Sequence, residues 1–302
     1  AGPGAPGADA RTRSHRRVGD MRIDLHSHST ASDGTQDPGV LVAAAAAAGL
    51  DVVALTDHDT TRGWDEAGAA ALERGIGLVR GMEISCQRDH RSVHLLAYLF
   101  DPDDADLLGE IEHARSSRLT RMDRMVERMA ADGIPVTIDQ VRAQVAAGAT
   151  LGRPHLADAL VASGQVPDRT SAFRDLLHNE SPYYVSHYAV DPVRAVRLVR
   201  AAGGVPVLAH PFTVTRGRAL DVDVVEEMVA AGLGGIEVHH RDHDAAGRAL
   251  AQDLADAHDL IVTGSSDYHG EGKPNRLGEH TTDPAQLARI VEQGSGSAAI
   301  GL

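Results

Sequence analysis

Asp24-Leu25-His26-Ser27-His28 stands at the end of an apolar run near the start of the chain. On an extended strand alternate side chains share a face, so Asp24, His26 and His28 point one way and the two imidazoles can grip one metal ion. The same residue types recur downstream: Asp33 in SDG, Asp57-His58-Asp59 after VVALT, Glu83 in GMEIS, His94 in SVHLL, His210-Pro211 after VPVLA, and Asp267-Tyr268-His269 after IVTGSS. Nearly every one follows a short apolar stretch that reads as a strand. Metal-ligand residues at successive strand ends are what a β/α barrel with a metal site at its mouth produces.

Working outward, apolar β-rich runs alternate with Ala-rich helical ones. Strands are expected at Arg22 to His26, Asp51 to Thr56, Gly77 to Ile84, Val93 to Phe100, Val205 to Ala209, Gly235 to His239 and Leu260 to Gly264. Helices are expected near Pro38 to Ala48, Thr61 to Arg74, Val190 to Ala202, Val222 to Ala231, Ala245 to His258 and Pro284 to Gln293. After Asp101-Pro102 the strand signal vanishes until about His187, and the Arg-, Met- and Ala-rich spacing there is helical. The expected organisation is therefore a disordered tail over 1–20, a barrel domain built from 21–101 and 188–302, and an inserted helical subdomain over 102–187. The tail is Gly, Pro, Ala and Arg without an apolar h-region, so it is not read as a signal peptide.

With 302 residues and 42% apolar content the chain can bury a large core, and with only 3% aromatics that core must be Val, Leu, Ile and Ala. A formal charge of −14 excludes an extended duplex-binding surface, which needs a basic stripe. It does not exclude a small phosphorylated substrate drawn to a pocket made locally positive by metal ions. Cys86 is the only cysteine. No intrachain disulfide can form, a reducing cytoplasmic home is expected, and Cys86 reads as a small core residue. No apolar stretch approaches the length needed to span a bilayer.

DLHSHST, ALTDHD, GMEIS, the HLL that follows, LAHP and GSSDYHG, in that order, resemble the polymerase and histidinol phosphatase (PHP) family over Met21 to His280. The resemblance implies a distorted seven-stranded β/α barrel with a trinuclear site and two to three divalent ions (Mn, Fe or Zn). Carried over by position, it implies His26, His28, Glu83 and Asp267 on a first ion, Glu83 bridging to a second held by His94 and His210, and Asp33, His58 and His269 on a third. Imidazole and carboxylate are ligands that suit those metals. GRPHLADAL and SDG are similar to the branch that hydrolyses nucleoside 3′,5′-bisphosphates, whose members also trim short RNA from the 5′ end.

The mechanism so implied is attack on phosphorus by a water activated between two cations. One phosphate of the substrate would sit on the metals. The other would be read by Arg153 and His155 of GRPH, with Lys273 of GEGKP near the mouth. Arg118 and Arg121 are read equally well as a solvated helix face. Asp24 and Asp57 could orient ligating imidazoles, or Asp57 and Asp59 could cap the following helix. His239, His240 and His243 are placed on a loop after the sixth strand and not counted as ligands. The expected partner is thus a small phosphorylated nucleotide such as pAp, with short RNA or histidinol phosphate as rival substrates and a non-catalytic metal-binding domain as the rival of a different class. No membrane or duplex DNA partner is expected, and the sequence leaves the oligomeric state open.

Overall fold

The computed structural model describes residues 20–89, 91–146, 149–213 and 219–302; nearly all of the expected tail lies outside them. Seven strands form one sheet in chain order: β1 (Ile23–Asp24), β2 (Val52–Leu55), β3 (Gly77–Arg88), β4 (Arg91–Tyr98), β5 (Val205–Ala209), β6 (Gly235–His239) and β7 (Ile261–Gly264). Pairings are parallel except that β4 runs antiparallel to both β3 and β5. That reversed strand is the distortion of the barrel. A loop, not a strand pair, joins the two edges: the Thr282 N–H donates to Ile23 O (2.9 Å), and the Gly264 N–H donates to the Thr282 hydroxyl (3.0 Å).

The strand pattern explains the curl. Val53, Leu55, Leu95, Ala97 and Leu208 face an outer core shared with helices. Their alternates Val52, Ala54, Leu96, Tyr98, Val205 and Val207 close a second core inside the sheet. With both faces apolar, the strands read as continuous hydrophobic runs, as parallel sheets do. The outer layer comprises α1 (Pro38–Ala47), α2 (Trp64–Arg74), α7 (Pro192–Ala201), α8 (Val222–Ala230) and α9 (Ala245–His258), while α10 (Pro284–Gln293) packs Leu287 and Ile290 against the second core. Cys86 is buried in this outer core.

Between β4 and β5 lie α3 (Ala105–Ala131), α4 (Ile138–Arg142), α5 (Arg153–Ala162) and α6 (Arg169–Asp175). They enclose a third cluster that includes Met122, Met125, Met129, Leu156, Leu160 and Leu177. On this basis we propose that 102–187 is an inserted helical subdomain. Its first helix belongs to both halves, because Leu107 and Ile111 pack into the barrel's outer core while Met122 onward packs into the insert. Among the described residues no helix is long and apolar enough to cross a membrane.

Candidate metal centre and its anion receptor

β1 is shorter than the sequence suggests, ending at Asp24, so His26 and His28 lie just beyond it. The segment stays extended by pairing with the one after β7: the His28 N–H donates to Tyr268 O (2.8 Å), and Ser27 bridges Tyr268 in parallel. Both histidines are fully buried. Asp24 and Asp57 do not contact the imidazoles through their carboxylates; they tie loops. Asp24 accepts from Ser266 N and Gly278 N, and Asp57 from Ser29 N, Ser29 Oγ and Ser32 Oγ. Asp59 is likewise no helix cap, since it accepts from Ser85 N and pairs with Arg118.

The nine residues singled out in the sequence converge. Glu83 is at the centre: its Oε2 lies 3.0 Å from His26 Nε2, 2.9 Å from His28 Nε2 and 3.5 Å from His58 Nδ1. Its Oε1 lies 2.6 Å from His94 Nδ1 and 3.3 Å from His210 Nε2. Asp267 Oδ1 is 3.4 Å from the Nε2 atoms of both His26 and His28. Asp33 Oδ1 is 3.2 Å from His269 Nε2 and 3.7 Å from His28 Nδ1. His28 thus touches two groups, one with His26, Glu83 and Asp267, the other with Asp33, His58 and His269. His210 and Asp267 hold left-handed backbone angles (φ 29° and 51°), strained for residues with a Cβ.

The donor atoms fit metal ions better than they fit one another. Ligands about 2.1 Å from a common centre stand about 3.0 Å apart at right angles and about 3.4 Å apart at the tetrahedral angle. The separations around Glu83 Oε2 and Asp267 Oδ1 fall in that range. Moreover, Glu83 Oε1, His94 Nδ1, His58 Nδ1 and His269 Nε2 are buried without a well-directed hydrogen bond despite their short separations. Lone pairs that miss each other while crowding one spot are the signature of a cage for a cation.

Electrostatics tell the same story. Burial alone would lower the His28 pKa, but hydrogen bonds to Asp267 and Glu83 outweigh it and push the ring up to about 9. Burial likewise opposes ionisation of Glu83 and Asp33, yet His58 and His94 hold Glu83, and His269 and His58 hold Asp33, well below the ordinary carboxylate range. His269 goes down to about 4 through burial and the Lys273 and His28 charges. Without an ion, Asp267 and Glu83 hold a proton on His28; a cation would displace it.

The predicted substrate contacts are placed unevenly. Lys273 reaches the site, its Nζ 2.8 Å from Asp267 Oδ2. His155 is buried, its Nδ1 accepts from Gly152 N, and Asp33 acts on it electrostatically. Arg153 donates to Leu177 O and Asn179 Oδ1 (both 2.8 Å) and lies over Tyr184 and Phe173. The solvated-face reading of Arg118 and Arg121 does not hold, since they are 8% and 7% exposed. Arg118 pairs with Asp59 at 2.5 Å, beside His58. Arg121 stacks on Tyr184, opposite no carboxylate among the described residues, with Nη1 3.4 Å from His187 Nδ1. Burial and the charges of Arg153 and Arg118 push Arg121 down to about 9, and burial with Arg121 and Arg118 pushes His187 down to about 3. This cluster is short of an anion.

Sequence reasoning missed Glu237, and it placed His240 and His243 on the loop after the sixth strand without counting them as ligands. All are buried, although His239 beside them is exposed. Glu237 lies inside the apolar-looking strand GIEVH, and a charge within such a run was the available signal.

A metal-binding cage at the mouth of a β/α barrel, with the buried Arg118 paired to Asp59 beside the cage residue His58, fits a metal-dependent phosphoesterase. The PHP domain model matches residues 24–120, and the chain belongs to the PHP family. It is 36% identical to a 3′,5′-nucleoside bisphosphate phosphatase of Chromobacterium violaceum, over 89% of this chain and 94% of that protein. A 5′-3′ exoribonuclease of Haemophilus influenzae is 32% identical over 82% and 90%. Among solved structures, one assigned as a metal-dependent phosphoesterase of Bifidobacterium adolescentis superposes with a TM-score of 0.88 at 42% identity, covering 91% of this chain and 97% of that one.

Proposed function

We propose that the chain hydrolyses the 3′-phosphate of nucleoside 3′,5′-bisphosphates, converting pAp and water to AMP and inorganic phosphate. The observation that carries this reading is the pairing of two receptors: a nine-residue cage and, on the helix whose Arg118 pairs with Asp59 beside His58, the buried Arg121 guanidinium, opposite no carboxylate among the described residues. A substrate with one phosphate would leave one of them unmatched. The bisphosphatase relative supports the same substrate class.

In this reading His26, His28, Glu83 and Asp267 hold a first ion, Glu83, His94 and His210 a second, and Asp33, His58 and His269 a third, with manganese, iron or zinc suited to such ligands. Bound there, divalent ions supply Lewis acidity, lowering the pKa of water and neutralising phosphoryl charge. The chain's own residues do the rest. Glu83 lies between the imidazole groups and fixes their spacing. Arg121, with Arg118 and Arg153 around it, receives the 5′-phosphate, so binding energy remote from the reacting bond aligns the 3′-phosphate. Lys273 offers an ammonium beside Asp267 at the mouth. In the reaction the P–O3′ bond breaks, water oxygen bonds to phosphorus, and a proton passes to the leaving 3′-oxygen.

The second reading is 5′-to-3′ trimming of short RNA, which the Haemophilus relative favours and which differs only in what leaves. Histidinol phosphate has one phosphate and would leave Arg121 unmatched. A purely structural metal role is disfavoured by the complete donor set. A single free cysteine, Cys86, and a cytoplasmic location are consistent with this chemistry. The test is phosphate release with added Mn from pAp, AMP, histidinol phosphate and short 5′-phosphorylated RNA. Rapid release from pAp and none from AMP is expected; equal rates on both would refute the two-phosphate reading.

A further inference from the structure

Two fully buried side chains from β6 and the turn after it stand behind the cage. Glu237 Oε1 is 3.3 Å from His26 Nδ1 and also accepts from Ser265 Oγ, while its Oε2 accepts the His210 N–H at 2.9 Å. Both oxygens are therefore engaged by hydrogen bonds, although Glu237 lies near enough to His26 and His210 to be grouped with them. His240 is engaged differently. Its Nδ1 accepts the Asp242 N–H at 3.1 Å, so in the neutral ring the proton resides on Nε2. That Nε2–H lies 3.8 Å from Asp267 Oδ2 and has no well-directed partner. A ring with one nitrogen occupied and the other protonated has no lone pair for a metal.

We infer that Glu237 and His240 are positioning residues, not ligands: Glu237 fixes His26 with its proton on Nδ1 and Nε2 bare toward the cage, and His240 turns Asp267 so that Oδ1 faces inward. The reason is the division of atoms. His26 presents Nε2 to Glu83 and Nδ1 to Glu237; Asp267 presents Oδ1 to His26 and His28, and Oδ2 to Lys273 and His240. Such outer carboxylates set the tautomer and raise the basicity of a ligating imidazole, and their loss typically weakens metal binding about 10–100-fold. The same Glu237 oxygen that takes His210 N–H also steadies the left-handed backbone at that residue. This inference rests on the reading of His26 and Asp267 as ligands.

The test measures affinity for the first equivalent of Zn2+ on the full chain, by competition with a chromophoric chelator, and the absorption spectrum with Co2+. Glu237→Gln keeps the volume but must turn an amide N–H toward a donor, either His210 N–H or the His26 and Ser265 pair. Its expected result is affinity lower by about 10–100-fold with an altered Co2+ spectrum. His240→Asn retains an acceptor for Asp242 N–H while deleting the Nε2–H, and should also weaken binding; His240→Gln, which restores a donor at that reach, should recover it. Far-UV circular dichroism in EDTA identifies any variant that does not fold. If Glu237→Gln fails to fold, the His240 pair decides. Unchanged first-ion affinity in folded Glu237→Gln and His240→Asn overturns the inference alone, whereas no Zn2+ binding by the wild type overturns the ligand reading beneath it.

Discussion

Replacing Arg121 by Met should make the protein more stable and a worse enzyme. Arg121 is 7% exposed, lies among Arg118, Arg153 and His187 opposite no carboxylate among the described residues, and has been pushed down to about 9 by burial and the charges of Arg153 and Arg118. A lowered pKa on a cationic group means that the fold disfavours its charge, so at neutral pH the native state carries a penalty the unfolded chain does not. Substituting apolar side chains for poorly compensated buried charges commonly stabilises by roughly 1–4 kcal/mol. Lost stacking on Tyr184 returns about 1 kcal/mol of that. At about 2–4 °C per kcal/mol for a domain of this size, melting in EDTA should rise by a few degrees, up to about 10 °C. For turnover, removing one partner of a buried charge-assisted contact costs about 2–5 kcal/mol, hence a fall in kcat/KM for pAp of about 30-fold to a few thousand-fold. Release from 3′-AMP, which lacks the 5′-phosphate, should change little. A lower melting temperature, or equal losses on pAp and 3′-AMP, would refute the assignment of Arg121 as an anion receptor.

The metal-free protein should lose stability as pH rises from about 6.5 to 9. The His28 pKa is raised to about 9, so its contribution is complete below its ordinary 6.5 and disappears through the folded value. Glu83, held low, contributes above its ordinary 4.5 and fails as pH falls. Melting in EDTA should therefore peak between these limits, while Zn2+ affinity should climb with pH as protons leave the cage; a flat EDTA profile from 6.5 to 9 would contradict the charge arrangement. Gly34→Ala should disrupt the Asp33 loop, because a Cβ there would lie 2.3 Å from His28 O and 2.6 Å from its carbonyl carbon, both backbone atoms. A loss of about 1–3 kcal/mol and of one equivalent of bound metal is expected, read by melting and elemental analysis; full metal content would argue against Asp33 as a ligand.

Much of the fold was legible because local signals were strong. Runs such as VVAL and VPVLA are apolar on both faces, which only a sheet covered on both sides accommodates, and all seven strands were anticipated. The reversal of β4 was not foreseen, since strand direction depends on connection length and not on the residues of the strand. The candidate ligands were legible because His and Asp placed after apolar runs are conspicuous. Glu237 was hidden by its position within a strand, and Arg118 and Arg121 stayed undecided because a charged helix face looks the same whether it meets water or packed protein.

The sequence by itself determined the alternation of strands and helices, the helical character of the insertion and the nine candidate ligand residues, since these depend on periodicity and residue type within short windows. Only the tertiary structure decided which nitrogen of each histidine faces the cage, that Arg121 is buried opposite no carboxylate among the described residues, and that Glu237 and His240 stand behind the ligands. Those facts concern distances between atoms far apart along the chain, and burial converts such distances into energy: the same arginine is neutral to stability in water and costly inside the protein.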